Sequence, residues 1–380
     1  MKCLILVGGY GTRLRPLTLY TPKSLVPFCN MPIVEHQIAA AVKAGVTHVI
    51  LAVGYQPEQM RAPLASMEKK YGITITCSVE TTPLGTAGPL NLAREILQTD
   101  PEPFFVFNSD VICEFPLIEM LNFHKQHGGQ ATICATKVTD PSKYGVIVTD
   151  PTNRRVQSFV EKPQIFVGDE INAGLYVLSK SVLDRVQPRF MMLEKDVFPQ
   201  MAQEGLIFCF ALEGYWADIG QPKDYLAGMR MHLEALRGRK HQAHKADGPI
   251  IAGSCSMLAN TEFLKDVEIV EPVLVHPSAV IGPGCVIGPH VWIGEGVKVS
   301  AGARIKDAAL FPGALIDSHS FINGAVIGWG SKVGKWSRVC GLAVLADDVE
   351  IGDEVVINGA LILPHKTVKT DVSLPGTIIM

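Results

Sequence analysis

Glycines and basic residues lie close together near the start of the chain, in GGYGTRLRPLT followed by PK. Gly8, Gly9 and Gly11 come directly after an apolar run, where a glycine-rich turn directs backbone N–H groups into a concavity that holds phosphate oxygens. Arg13 adds a planar guanidinium suited to phosphate, and Lys23 adds a compact charge. The stretch predicts a phosphate site, with a tight turn as the alternative for the glycines taken alone. Neither the dinucleotide pattern G-x-G-x-x-G nor Walker A fits it.

Four later stretches strengthen this prediction. PLGTAGPL (83–90) is a second glycine loop, suited to close contact between the backbone and a planar base, and FVEKP (159–163) places an acid beside a base. Asp110 ends the apolar run of FNSD, and Asp218 lies among aromatic and apolar residues in GYWADIG. One such aspartate is usually a helix cap or an ion-pair partner. Two of them, on a chain with phosphate-directed cations, predict a shared Mg²⁺, which takes one or two carboxylates plus phosphate oxygens.

The elements that position these residues alternate over residues 1–232. The strand candidates are 3–9, 48–54, 74–79, 104–110, 131–138 and 174–179. Between the first two, PIVEHQIAAAVKAG indicates a helix closed by Gly45. Strands that alternate with helices predict an α/β fold with a Rossmann-like, three-layer, mostly parallel sheet. Ligands bind beyond the carboxyl ends of such strands, where the first glycine loop and Asp110 both fall.

A different period runs through the C-terminal part of the chain. Ile281, Ile287, Ile293, Val299 and Ile305 recur every six residues. After slips before Ile316 and before Ile327, the period resumes at Val333, Val339, Leu345, Ile351, Ile357 and Leu363. A sustained six-residue period predicts a parallel β-helix, in which each hexad forms one face of a triangular coil.

The two periods predict two domains, an α/β domain at 1–232 and a β-helix at 273–380. Residues 233–272 between them have mixed charge and no clear period, so we expect a connector there. His241 and His244 within it could bind a metal, but solvated side chains are the simpler interpretation.

Composition limits the classes of function. The 380 residues carry a formal net charge of −3, with 34 Lys and Arg against 37 Asp and Glu, so we expect no nucleic-acid partner. No apolar run approaches the roughly 20 residues of a membrane span, and the first strand begins too close to Met1 for a signal peptide. Nine cysteines without a C-x-x-C pair favour free thiols in a reducing compartment. We therefore expect a cytoplasmic protein without a membrane partner.

The order of the motifs resembles that of a known family. GGxGTRLxPLT with PK, then GTAGPL, NSD, FVEKP, NAG and WxDIG, is similar to the sugar-nucleotide pyrophosphorylases. Within them the similarity is closest to the eukaryotic mannose-1-phosphate guanylyltransferases of the catalytic beta type. It extends through FCNxPI, VEKPQ and DIGQPKD to the terminal IIM, over nearly the whole chain. One departure is Ser24 in TPKSLV, where the family commonly has a proline.

The resemblance implies an Mg²⁺-dependent nucleotidyltransferase that makes GDP-mannose and pyrophosphate from GTP and mannose 1-phosphate, with a β-helix that is left-handed. By the family pattern, the residues at the nucleotide are Leu6, Gly8, Gly9, Gly11, Thr12, Arg13, Lys23, Gly85 and Asn108. Those at the sugar are Gly145, Glu161 and Asn172, and the metal ligands are Asp110 and Asp218. The catalytic residues it implies are Arg13, Lys23 and Lys162.

Three alternatives remain at the level of sequence. A non-catalytic alpha-type subunit is disfavoured because the chain is short and keeps every charged group of the pattern. An acyltransferase would use a histidine of the β-helix, for which the candidates are His276, His290, His319 and His365. A UDP-, ADP- or dTDP-sugar synthesis would share the chemistry, so GTP and mannose rest on the resemblance alone. We expect homo-oligomers through the β-helix, and pairing with an alpha-type regulatory subunit is a further possibility.

Overall fold

The computed structural model describes residues 1–54, 57–243, 251–252, 255–257 and 266–380. The chain packs as two compact units. The first unit comprises Met1–Tyr10 and Val34–Trp216, and the second comprises Gly11–Ile33 and Ala217–Met380. Arg13 and Lys23 therefore pack with the C-terminal part of the chain, although they follow the first strand in sequence. The boundaries at 232 and 272 stay a prediction, whereas the packing follows this different division.

The helices and strands up to residue 243 are as follows. The strands are β1 (Lys2–Val7), β2 (Pro27–Phe28), β3 (Met31–Pro32), β4 (His48–Val53), β5 (Thr74–Val79), β6 (Phe104–Asn108), β7 (Val111–Cys113), β8 (Ala131–Lys137), β9 (Gly145–Thr149), β10 (Val156–Glu161), β11 (Glu170–Leu178), β12 (Ile207–Ala211) and β13 (Trp216–Asp218). The α-helices are α1 (Ile33–Lys43), α2 (Pro57–Tyr71), α3 (Gly88–Leu92), α4 (Arg94–Leu97), α5 (Leu117–His127), α6 (Phe198–Gln203) and α7 (Pro222–Ala243). Short 3₁₀ segments cover Thr12–Leu14, Lys23–Leu25 and Lys180–Arg185, and a π-helical turn covers Leu193–Val197.

The main sheet of the first unit has the order β10-β9-β11-β6-β1-β4-β5, with β8 and β12 attached beyond β11. Strands β6, β1, β4 and β5 are parallel, as predicted. The expectation of a mostly parallel sheet is wrong for the other side, because β11 runs antiparallel to β6, β8 and β9. In the register of β1 and β6, Leu6 lies opposite Asn108. The carboxyl ends of these two strands therefore meet at one edge, which places the first glycine loop and the Asp110 turn as predicted.

The core of this sheet explains why its strands are continuous apolar runs. Cys3, Leu4 and Ile5 of β1 are all fully buried, because a parallel sheet is covered on both faces. Helix α1 ends at Lys43, and Gly45 follows it with a φ of 87°, a conformation that only glycine adopts without strain. The predicted α/β fold and the predicted stop of this helix are both confirmed.

The remaining strands form the C-terminal part of the second unit. They are β14 (Ile251–Ala252), β15 (Cys255–Met257), β16 (Glu268–Ile269), β17 (Val273–Val275), β18 (Val280–Ile281), β19 (Val286–Ile287), β20 (Val291–Ile293), β21 (Lys298–Val299), β22 (Arg304–Leu310), β23 (Leu315–Ile316), β24 (Phe321–Ile327), β25 (Lys332–Val333), β26 (Arg338–Leu345), β27 (Glu350–Ile351), β28 (Val356–Asn358), β29 (Leu361–Ile362), β30 (Thr367–Val368) and β31 (Ile378–Ile379). From β16 onward each pairs in parallel with the strand one coil away, so the parallel β-helix is confirmed; its left hand stays a prediction.

The slips in the six-residue period have a structural cause. One side of several coils is a residue short, so that Ile322 and Ile327, five residues apart, both point into the core of the β-helix. The same shortening recurs after Ile357. Ile362 therefore enters the core, opposite Leu345, and the six-residue period that was predicted to continue to Leu363 is wrong at this position.

Two described elements extend into the predicted connector, one at each end. Helix α7 continues to Ala243, and Glu268–Ile269 already pairs in parallel with β19. His241 lies within α7, whereas His244 falls outside the described residues. Within the described ranges, no helix has the length and apolar character needed to cross a membrane.

Candidate active site

The cations after the first glycine loop are held by a tight local fold of the second unit. Gly11 has a φ of 65°, and a methyl group there would lie 3.1 Å from the Cβ of Lys23. The hydroxyl of Thr18 donates to the carbonyl of Gly11 at 2.7 Å, and the 3₁₀ turn Thr12–Leu14 follows at once. Gly11 is therefore required twice, by its left-handed backbone and by the close approach of Lys23.

Three predicted charged groups converge beside Gly220. A methyl group on Gly220 would lie 2.8 Å from Asp218 Oδ1, 3.1 Å from Arg13 Nη2 and 3.2 Å from Lys23 Nζ. The Gly220 N–H also donates to Asp218 Oδ1 at 2.9 Å. Two cations and one carboxylate thus border a single small space, which we call the phosphate cluster. Its positive balance suits the oxygens of a polyphosphate, and its carboxylate suits a metal bound to them.

Asp110 lies in the turn between β6 and β7, and a buried amide holds this turn. Gln37 of α1 is fully buried, and its Nε2 donates to the carbonyls of Asn108 at 2.8 Å and Val111 at 3.1 Å. The turn is thus bonded at both ends to one side chain. Sequence reasoning missed Gln37, because a single glutamine within an amphipathic helix carries no signal that distinguishes it from a surface residue.

Glu80 lies against the first glycine loop and was also missed. A methyl group at Gly8 would lie 3.4 Å from Glu80 Oε1, and the Leu84 N–H donates to Glu80 Oε2 at 3.2 Å. Burial raises the pKa of this carboxyl. The next residue, Gly85, has a φ of 75°, and any side chain there would overlap the carbonyl of Met191. One carboxylate therefore touches both glycine loops, and its position just before PLGTAG was the signal available in the sequence.

The FVEKP stretch forms a second charged corner, within the first unit. Lys162 Nζ lies 3.5 Å from Glu161 Oε1, and its side chain is 64% exposed. The Lys162 N–H donates to the carbonyl of Tyr144 at 3.1 Å, which holds the lysine at a φ of 48°. A methyl group at Gly145 would lie 2.9 Å from Glu161 Oε2 and 2.6 Å from the Phe159 ring. The structure thus brings Gly145, Glu161 and Lys162 together.

Asn172 is oriented by its own strand. Its Nδ2 donates to the hydroxyl of Tyr176 at 2.8 Å, and its Oδ1 accepts the Gly174 N–H at 3.0 Å. Asn108 also bonds the hydroxyl of Tyr176, which is fully buried, and burial raises the pKa of that phenol far above its usual range. The structure therefore joins a residue predicted for the nucleotide to one predicted for the sugar through a single tyrosine.

The buried carboxyl of Glu194 joins the second glycine loop to the π-helical turn Leu193–Val197. Thr86 Oγ1 donates to Glu194 Oε2 at 2.5 Å and accepts the Leu193 N–H at 2.9 Å. Burial raises the pKa of Glu194, and the negative charge of Glu161 raises it further. Sequence reasoning missed Glu194 because the π-helical turn that carries it has no recognisable pattern.

Comparison with known proteins shows the family to which the chain belongs. Residues 2–235 match the model of the nucleotidyl transferases, and residues 269–378 match that of the GMPPB C-terminal domain. Mannose-1-phosphate guanyltransferase beta-B of Xenopus laevis is 51% identical over 379 residues, with 100% of both chains covered. Mannose-1-phosphate guanyltransferase of Eremothecium gossypii is 52% identical over 380 residues, again with 100% of both covered. The chain belongs to the mannose-1-phosphate guanylyltransferase family.

A solved structure agrees with the fold over 60% of the chain. HddC from Yersinia pseudotuberculosis superposes with a TM-score of 0.51 at 28% identity, and the match covers 60% of this chain and 97% of that one. Nucleotidyl transferases of this family generally use a divalent metal. Within the described residues no group of three His, Cys, Asp or Glu side chains could hold a metal ion by itself. For this member of the guanylyltransferase family, Asp110 and Asp218 stay predictions as metal ligands.

Proposed function

We propose that this chain transfers the guanylyl group of GTP to mannose 1-phosphate, which releases pyrophosphate and supplies GDP-mannose for glycosylation. The observation that carries the proposal is the phosphate cluster, in which Arg13, Lys23 and Asp218 meet beside Gly220. Relatives of the same length and about half identical sequence supply the substrates by their names. The intact cluster favours the catalytic role over the non-catalytic alpha-type subunit.

The reaction is an in-line attack of the sugar phosphate on the α-phosphorus of GTP, so the protein mainly positions groups and offsets charge. Arg13 would hold the leaving pyrophosphate, and Lys23 would contact phosphate near the reacting centre. Lys162 would direct the attacking phosphate, since its ammonium is exposed and its backbone is held in place. Glu161 and Asn172 would accept hydrogen bonds from the hydroxyl groups of the sugar. The backbone at Gly145 would lie against the pyranose.

Mg²⁺ is the metal that we propose, with Asp110 and Asp218 as its protein ligands. Carboxylate oxygens are the donors that Mg²⁺ prefers, and Asp218 lies beside the two cations that would hold the same phosphates. When bound, the ion offsets the negative charge that develops on the phosphate oxygens. Together with Arg13 and Lys23, the proposed nucleotide-binding residues are Leu6, Gly8, Gly9, Gly11, Thr12, Gly85 and Asn108.

The experiment that tests the function is pyrophosphate release by the purified chain. GTP, UTP, ATP and dTTP are each combined with mannose 1-phosphate and with glucose 1-phosphate, with and without Mg²⁺. We expect metal-dependent release with GTP and mannose 1-phosphate. Release with another pair would keep the mechanism and change the substrates, whereas the absence of release from folded protein would favour the non-catalytic subunit.

Glu80 would read the guanine base. Guanine offers two donors on one edge, N1–H and the N2 amino group, and a carboxylate accepts both. Glu80 lies between Gly8 and the loop of Gly85, which the family pattern places at the base. Glu80→Gln is expected to lower kcat/KM for GTP about tenfold or more, because glutamine offers one acceptor and adds a donor. The measurement compares kcat/KM for GTP with kcat/KM for ITP, which lacks the N2 amino group, in the wild type and in Glu80→Gln. The same preference for GTP over ITP in both proteins would exclude this role.

Gly220→Ala is expected to lower turnover about tenfold or more, because the new methyl displaces Asp218, Arg13 or Lys23 from the geometry that the reaction needs. Gly238→Ala is the matched control, since a methyl there meets no atom of the described residues within 4 Å. Pyrophosphate release is measured for both at saturating substrate. Equal rates in the two variants would show that the reaction does not depend on the exact positions of these three side chains, which would contradict a role for the phosphate cluster.

We also propose homo-oligomers through the β-helix, pairing with an alpha-type regulatory subunit, and a cytoplasmic location. Exposed apolar side chains on the coils support self-association, with Trp336 64% exposed and Val280 59% exposed. Cys3, Cys113, Cys134 and Cys209 are buried free thiols, which suits a reducing compartment. Sedimentation of the pure chain tests the first of these: a monomer at all concentrations would exclude it.

A further inference from the structure

The segment that carries the phosphate-binding cations is anchored to α7 by aromatic packing. This segment, Gly11–Ile33, contains Phe28, whose side chain is fully buried. The Phe28 ring packs edge-on against Tyr225 of α7, with the ring centres 5.3 Å apart. The hydroxyl of Tyr225 donates to the carbonyl of Pro27. The segment is thus held to α7 by both a ring contact and a hydrogen bond.

Tyr225 also packs against an aromatic side chain of the β-helix. The ring centres of Tyr225 and Phe311 are 6.2 Å apart, and those of Phe311 and Trp292 are 5.0 Å apart. Trp292 lies between Val291 and Ile293, both of which point into the coil, so its own side chain points outward. Trp292 and Phe311 are nevertheless fully buried. They form an outward-facing apolar patch of the β-helix that is covered within this unit.

Polar contacts also join the β-helix to the segment Gly11–Ile33, which we call the cationic segment, and to α7. We call this set of contacts the junction. Asn30 of the cationic segment donates its Nδ2 to the carbonyl of Ile293 at 3.1 Å, which is a direct bond to a β-helix strand. Asp307, at a corner of the coil, accepts the Nε–H of Arg230 of α7 at 2.9 Å. These contacts span a large separation in sequence, and each one joins the β-helix to an element that carries or supports the phosphate cluster.

Helix α7 also touches the stretch that carries Asp218. A methyl group at Gly228 would lie 2.7 Å from Cγ2 of Ile219 and 3.0 Å from Cβ of Ala217, the two neighbours of Asp218. The helix therefore packs directly against the backbone on either side of the carboxylate. Within this unit, α7 is in contact with the Asp218 stretch, the cationic segment and the β-helix.

We propose that the outer face of the β-helix, formed by Trp292, Phe311 and the Ile293 carbonyl, positions the phosphate cluster for the reaction. Its residues do not touch substrate; they act through Asn30, Phe28 and α7 on the placement of Arg13, Lys23 and Asp218. The β-helix is then a working part of the nucleotidyl-transfer site in addition to any role in assembly. This inference rests on the proposed function for the identity of the phosphate ligand.

The test uses two variants of the full chain, Asn30→Asp and Phe311→Leu. Asn30 has a φ of 68°, which aspartate tolerates, so Asn30→Asp changes a donor into an acceptor that faces a carbonyl. Ile351→Ala is the control, since Ile351 is buried inside the coil on strand β27 and the change lowers the unfolding temperature without touching the junction. Binding of pyrophosphate with Mg²⁺ is measured by calorimetry, together with kcat and the KM for mannose 1-phosphate.

We expect both junction variants to weaken pyrophosphate binding and to lower kcat about tenfold, with the KM for mannose 1-phosphate within about twofold of wild type. The control should bind pyrophosphate as wild type does. Unchanged binding in both junction variants, or an equal loss in the control, would overturn the inference. If the wild type binds pyrophosphate but makes no GDP-mannose while Asn30→Asp weakens that binding, the positioning role holds and the proposed function fails.

Discussion

Asp218→Asn is expected to lower kcat several-hundred-fold while the chain stays folded. Asparagine keeps the size of the side chain and an oxygen for the Gly220 N–H, but it removes the negative charge beside Arg13 and Lys23. Loss of one group that stabilises developing charge corresponds to about 3–4 kcal/mol in the transition state. The metal would lose one of its two proposed carboxylates, so the Mg²⁺ concentration for half-maximal rate should also rise.

Pyrophosphate release over a range of Mg²⁺ concentrations measures this effect. Asp224→Asn is the matched control, because Asp224 lies in the first turn of α7, close in sequence but outside the cluster. We expect the control to keep nearly the wild-type rate. A rate for Asp218→Asn within tenfold of wild type, at any Mg²⁺ concentration, would contradict a role for this carboxylate in the reaction.

The second large effect concerns stability and depends on a chain of hydrogen bonds around Thr132 of β8. The Gly129 N–H donates to His127 Nδ1 at 2.9 Å, so the neutral His127 carries its proton on Nε2 and donates to Thr132 Oγ1 at 2.7 Å. The Thr132 hydroxyl then donates to His124 Nδ1 at 2.9 Å. His124 in turn donates from Nε2 to Ser179 Oγ at 3.0 Å. Every proton along this chain has one assigned place when both histidines are neutral.

Thr132→Val is therefore expected to lower the free energy of unfolding by about 2–4 kcal/mol. Valine fits the space, but it leaves the Nε2–H of His127 and the Nδ1 of His124 without their partner, and each unsatisfied buried group costs about 1–3 kcal/mol. Urea unfolding followed by circular dichroism measures the loss. Thr136→Val on the same strand is the control, because Thr136 is buried but lies outside this chain of bonds. Equal losses in both variants would refute the assignment.

The same histidines give the stability a pH dependence. Burial lowers the pKa of both His124 and His127 to about 4, below the usual value of 6.5. The unfolded chain therefore binds protons that the folded chain does not, so stability is full above about pH 6.5 and falls as the pH drops towards 4. For the pair we expect a loss on the order of 3 kcal/mol, discounted for the partial exposure of His127. Unfolding midpoints between pH 7 and 4.5 measure this loss, and a flat profile in that range would contradict it.

Sequence reasoning succeeded where a short-range pattern sets the structure. The end of α1 at Gly45 and the coils of the β-helix follow from local backbone geometry, since the period of side-chain burial is a property of the element itself. It failed where one element approaches another. Two examples are the antiparallel direction of β11 and the entry of Ile362 into the core. Both depend on the length of the connection that precedes the strand, and the pattern of apolar residues does not specify that length.

The candidate site divides in the same way. The sequence by itself determined which side chains have phosphate or metal chemistry, because a guanidinium, an ammonium and a carboxylate carry that chemistry wherever they lie. Tertiary structure alone decided that Arg13, Lys23 and Asp218 converge beside Gly220, and that Glu80 touches Gly8. It also decided that the cationic segment packs with α7 and the β-helix. These contacts join residues far apart in the chain, so they arise only when the buried aromatic and polar groups of separate elements pack together.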